Sequence, residues 1–104
     1  MSRMVVIYAK PADPAAFETH YFNTHVPLAK QLPGLRKYEV SRGPIRGRMA
    51  GEPPHMIATL HFDTMEDIQA AFGSEIGKAC AADLRHFAPN EGDATLLLFD
   101  EEVV

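Results

Sequence analysis

Two short apolar runs constrain the fold most: "MVVIYA" from Met4 to Ala9 and "TLLLF" from Thr95 to Phe99, neither of which alternates with polar residues. Successive side chains of a strand point to opposite faces. Val5 and Ile7 therefore oppose Met4, Val6 and Tyr8, while Leu96 and Leu98 oppose Leu97 and Phe99. A sheet holding both strands is apolar on both faces, and each face needs cover.

The chain between these runs has room for only two helical connections. After the turn "KPADP", Asp13 stands at an N-cap position with Pro14 at the favoured first helical position. At about 100° per residue, Phe17, Tyr21, His25, Leu28 and Leu32 share a stripe about 80° wide. Pro27 has no N–H for the carbonyl of Asn23, so the helix must bend or restart near Thr24 to Val26. "LPGL" closes it, and "RKYEVSR" reads as a second strand with Tyr38 and Val40 on one face.

Residues Gly43 to Pro54 hold three glycines, three prolines and two arginines, the composition of a loop. "HMIATLHFD" follows as a third strand whose residues Met56, Ala58, Leu60 and Phe62 form its apolar face. Thr64 caps a helix with Ile68, Ala71 and Phe72 inward, Gly73 interrupts it, and Ser74 caps a further helix on the stripe Ile76, Cys80, Leu84 and Phe87. The order is βαββαβ with the second helix in two pieces. This is the ferredoxin-like arrangement, an α+β antiparallel four-stranded sheet with helices on one face, and it occupies residues 1–104 as one domain. Helices on one side leave the other apolar face bare, and a second copy of the chain, sheet against sheet, is the simplest cover.

Composition narrows the partners. Fourteen acidic residues outnumber ten scattered basic ones, which argues against nucleic acid. No apolar run is long enough to cross a bilayer, and the N-terminus lacks the apolar core of a secretory signal, so a cytoplasmic location is expected. The lone Cys80 permits no internal disulfide and reads as a buried hydrophobe. No metal site is expected either: His20 and His25 would lie about 140° apart on a regular helix, and His55 and His61 are about 20 Å apart along their strand.

The segments "Y.....D...F..HY...H.PL...LPGL..YEV" from Tyr8 to Val40, "H.IA.L.F" from His55 to Phe62 and "S..G....ADL..FA" from Ser74 to Ala88 resemble the EthD family, with "HY...H.P" the most specific element. The resemblance implies a dimeric α+β barrel in which each subunit holds a ligand pocket between helices and sheet. The family takes its name from a protein encoded with an ether-degrading oxygenase system. Relatives in its superfamily include lactone isomerases, polyketide cyclases and cofactor-free monooxygenases acting on small cyclic or aromatic compounds.

On this basis His25 is the candidate acid or base, with Tyr21 orienting it and His20 assisting at the rim. Phe17, Leu28, Tyr38, Met56 and Phe72 are the candidate ligand contacts. An imidazole suits proton transfer because its ordinary pKa lies near neutrality. The competing reading is that Tyr21 and His25 are amphipathic core residues satisfied by carbonyls freed near Pro27. Glu39 has three readings: a partner for neighbouring charges, a bridge to His61, or a base. Arg42, Arg46 and Arg48 read as solvated loop charges or a clamp for an anion.

Two functional expectations follow. One is an enzyme without a bound cofactor that moves protons on a small hydrophobic cyclic or carbonyl compound. The other is a non-catalytic accessory or ligand-binding protein serving an oxygenase or degradation pathway, and a heme or flavin enzyme ranks behind both.

Overall fold

The computed structural model describes residues 1–104. The elements are β1 (Ser2–Tyr8), α1 (Pro14–His20), a π-helical turn (Tyr21–His25), α2 (Val26–Ala29), β2 (Lys37–Val40), β3 (Met56–Phe62), α3 (Met65–Gly73), α4 (Glu75–Phe87) and β4 (Ala94–Asp100). The four strands form one antiparallel sheet in the order β2-β3-β1-β4. This is the ferredoxin-like α+β topology expected from the sequence. Element ends differ by a few residues: β1 spans Ser2–Tyr8, two residues earlier at its start, and β2 keeps only Lys37–Val40 of the longer run.

Local chemistry sets the helix starts. Asp13 accepts from Ala16 N–H, Thr64 from Asp67 N–H and Ser74 from Gly77 N–H, each at 3.1 Å. Each cap satisfies an amide that the first helical turn cannot pair. Gly77 has a second duty. A Cβ there would sit 2.3 Å from the Ala71 carbonyl oxygen and 2.4 Å from Phe72 Cα, so glycine is what lets the start of α4 close against the end of α3.

The sheet's two faces differ in cover. Ser2, Met4, Val6 and Tyr8 of β1, with Met56, Ala58, Leu60 and Phe62 of β3, are buried beneath the helices. Their alternates Arg3, Val5, Ile7, Ile57, Thr59 and His61 are only half-buried. Strand β4 is the barest element: Leu96, Leu97, Leu98 and Phe99 are 43–48% exposed. Leu97 and Phe99 register with Val5 and Arg3, which puts them on the face that the helices do not cover.

The first helical region departs from a regular projection. Its buried residues are Phe17, Tyr21, His25, Ala29 and Leu32, whereas Leu28 is only half-buried. A π turn takes more residues per turn than an α-helix, so spacings of four stay on one side through it. Beyond the turn the inward position passes from Leu28 to Ala29.

Candidate functional site

Pro27 removes one helical donor, and its ring would crowd the carbonyl four residues earlier. The backbone widens just ahead of it: Tyr21–His25 is π-helical, and Val26 N–H donates to the Tyr21 carbonyl five residues back. Residues five apart then lie above one another, and His20 and His25 are five apart. Both reach a single carboxylate on α4. His20 Nε2 is 2.8 Å from Asp83 Oδ1, and His25 Nδ1 is 2.8 Å from Asp83 Oδ2. The wide separation expected from a regular helix is therefore corrected by the π turn, a feature frequent at functional sites.

Burial by itself would raise the Asp83 carboxyl, but the hydrogen bonds from His25 and His20 outweigh it and hold Asp83 below the usual carboxylate range. Asp83 is thus an acceptor, and both histidines donate to it. For His25, burial lowers the imidazole pKa and the Asp83 carboxylate opposes this without reversing it. A neutral ring that donates from Nδ1 keeps its lone pair on Nε2. His25 is 8% exposed, and the Phe87 ring meets its ring edge-on at 4.8 Å.

A cavity of about 90 Å³ lies between this group and the sheet, and fourteen of the fifteen residues around it are hydrophobic, His25 being the exception. Tyr8, Tyr21 and Tyr38 also border it. The Tyr21 and Tyr38 hydroxyls are 2.5 Å apart. Burial raises the Tyr8 and Tyr21 pKa values well above the ordinary range, reinforced by Tyr38 at Tyr8 and by both Tyr8 and Tyr38 at Tyr21. Burial also pushes Tyr38 up to about 12. All three are neutral phenols at physiological pH.

Of the residues singled out from sequence, His25, Tyr21, Tyr38 and Phe72 border the cavity. His20 lies behind Asp83, half-exposed, on the outer side of the helices. Phe17, Leu28 and Met56 stand outside the lining. Phe17 is core, stacked on Tyr21 at 5.7 Å, and Met56 is buried at the start of β3. Cys80 is buried in the cavity wall, where burial raises its thiol pKa. Glu39 is remote from the cavity, beside His61 Nε2 at 2.5 Å and Lys37 at 3.4 Å on the open sheet face.

The sequence does not single out Asp83 as a site residue, although it stands within the "ADL" segment of the EthD-like pattern. Nothing local marks it, since its partners lie 63 and 58 residues away in the chain. No group of three or more His, Cys, Asp and Glu side chains is placed to hold a metal ion. No helix is long and apolar enough to cross a membrane.

Comparison with known proteins identifies the family and the fold. An uncharacterised 11.0 kDa protein from the thcB-thcC intergenic region of Rhodococcus erythropolis is 38% identical, over 100% of this chain and 98% of its own. A crystal structure of an ethyl tert-butyl ether D family protein from Bacillus halodurans superposes with a TM-score of 0.86 at 33% identity, covering 98% of this chain and 99% of that one. Two more distant structures share the fold. SnoaB, a cofactor-independent oxygenase from Streptomyces nogalater, has a TM-score of 0.68 at 16% identity over 99% and 94% of the two chains. A dimeric ferredoxin-like protein of unknown function from Thermobifida fusca has 0.66 at 17% over 94% and 88%. The EthD domain description matches residues 9–91, and on that match, together with the Bacillus and Rhodococcus relatives, this chain belongs to the EthD family.

Proposed function

We propose that the protein binds a small hydrophobic compound in the cavity beneath α4 and moves a proton on it, with His25 as the acid or base and no cofactor taking part. The observation that carries this reading is the bond from His25 Nδ1 to Asp83 at the wall of a hydrophobic cavity. Asp83 fixes the ring and its tautomer, leaving Nε2 as the basic atom. Once Nε2 takes a proton, the carboxylate stabilises the imidazolium, the role an aspartate plays behind a catalytic histidine. Tyr21 packs on His25 at 5.4 Å and limits its rotation. His20 holds the other Asp83 oxygen, so its assistance is positional.

The working unit in this proposal is a homodimer of single-domain subunits. Leu97 and Phe99 of β4, continuous with Val5 and Ile7, form an apolar face that a second sheet would cover. The dimeric description of the Thermobifida fusca neighbour supports this assembly.

The alternative is a binding or accessory protein without turnover, which the almost wholly hydrophobic lining favours. A thermal-shift screen of small cyclic and carbonyl compounds tests occupancy first. Compounds that stabilise the protein should lose their effect in Ala29→Leu, which adds bulk to the cavity from a buried position on its helical wall. Hits unaffected by that change bind elsewhere and contradict the proposal. Among true cavity ligands, turnover lost in His25→Gln with affinity kept within a few fold separates chemistry from storage.

A further inference from the structure

The cavity carries two opposed polar functions in an otherwise hydrophobic wall. One is the His25 imidazole. The other is a set of phenols whose protons exceed their acceptors. Tyr21 and Tyr38 share one hydrogen bond, and a phenol has one proton to give. Tyr21 also pairs with Tyr8, so three phenols share two hydrogen bonds, and a chain of three hydroxyls joined by two bonds leaves one proton unshared. Tyr8 lies close enough to Tyr21 for each hydroxyl to perturb the other, and it lines the same space. At least one phenolic O–H is therefore left to an acceptor that the protein does not supply, and the space it borders is the cavity. A ligand that fits needs an acceptor oxygen on an apolar frame.

Size sharpens this. A cavity of about 150 Å³ lined by apolar residues takes up benzene. The space here is about 90 Å³, which suits one small ring or a short branched chain.

We propose that the site is built for a short enolisable ketone or aldehyde, its carbonyl oxygen taken by the Tyr21–Tyr38 hydroxyl pair and its α-carbon turned toward His25 Nε2. This rests on the acid/base reading above and specifies its substrate class. In the reaction the α-C–H bond breaks and its proton passes to His25 Nε2. The electron pair forms the C=C bond while the carbonyl π pair moves onto oxygen, where a phenolic O–H stabilises the enolate. Return of a proton to carbon restores the ketone, so the cycle is redox-neutral and needs no co-reactant.

The test compares cyclopentanone with methylenecyclopentane, equal in shape and heavy-atom count but lacking an acceptor oxygen, by saturable NMR shift changes on the intact protein. Cyclopentanone should bind about tenfold more tightly or better, the worth of one buried hydrogen bond. That preference should collapse in Tyr21→Phe/Tyr38→Phe, which retains both rings. In D₂O the protein should accelerate deuterium uptake at the α-carbons of cyclopentanone, and His25→Gln should abolish the acceleration. Equal affinity for the two probes overturns the carbonyl assignment and leaves the cavity reading standing. Preferential binding without α-exchange overturns the enolisation step. Failure of both probes to bind at saturating concentration removes this inference and the reading beneath it.

Discussion

His25 Nδ1 lies 2.8 Å from Asp83 Oδ2, although 58 residues separate the two in the chain. The contact joins the region of the Pro27 distortion to the middle of α4, and His20 completes it from the other side at 2.8 Å. One carboxylate thereby fixes the orientation of two rings. It also ties the outer helical layer together over the cavity.

The pH dependence of stability has a definite sign. Folding lowers the pKa of both His25 and Asp83. A group lowered by folding stabilises the native state above its unfolded pKa, and this contribution is lost as pH falls. Stability should therefore decline from about pH 6.5 downward through His25 and again below about pH 3.9 through Asp83. Thermal unfolding between pH 7.5 and 5 checks the first step: the melting temperature of His25→Gln should change less over that interval than the wild type's.

Asp83→Asn leaves one oxygen acceptor for two imidazole donors. Loss of a hydrogen bond to a charged group costs about 1.5–3 kcal/mol, to be read from urea denaturation midpoints. Because Asp83 raises the His25 pKa against the effect of burial, the same variant should titrate His25 at still lower pH. An upward shift in its NMR titration would place another charge beside the ring.

Gly77→Ala should be among the most damaging single-methyl changes in the chain. The added carbon meets backbone atoms of Ala71 and Phe72 at 2.3 and 2.4 Å, and backbone cannot rotate aside as a flexible side chain can. Overpacking of this kind costs about 1–3 kcal/mol. Equilibrium unfolding should show that loss, while Gly73→Ala, where nothing lies within 4 Å of the new carbon, should change little.

The bare sheet face predicts self-association. Light scattering should give a mass corresponding to two 11.5 kDa chains. Leu97→Glu, which places a charge opposite Val5 on the apolar part of that face, should weaken the dimer by about a hundredfold or more. A monomer at micromolar concentration in the wild type would leave β4 uncovered and contradict the assembly.

The parts of this structure legible from sequence are those fixed by neighbours in the chain. Asp13, Thr64 and Ser74 were readable as caps because the amides they satisfy lie three residues on. The sheet was readable because β1 and β4 are apolar on both faces. The π turn was not readable, since a projection at a constant angle assumes the regularity that Pro27 disturbs. From that one assumption came both the wide separation of His20 and His25 and the choice of Leu28 over Ala29. Asp83 stayed hidden for a different reason. An aspartate on a mostly exposed helix looks solvated until tertiary packing brings two histidines to it.

The most direct test is a long-range ¹H–¹⁵N correlation of the histidine rings at pH 7.5, with His25 assigned through His25→Gln. Nδ1 of His25 should show the shift of a protonated nitrogen and Nε2 that of a nitrogen bearing a lone pair, with Nε2 the atom that responds when a ligand fills the cavity. A proton on Nε2 in the neutral ring, or an imidazolium at that pH, would contradict an Asp83-held base facing the cavity.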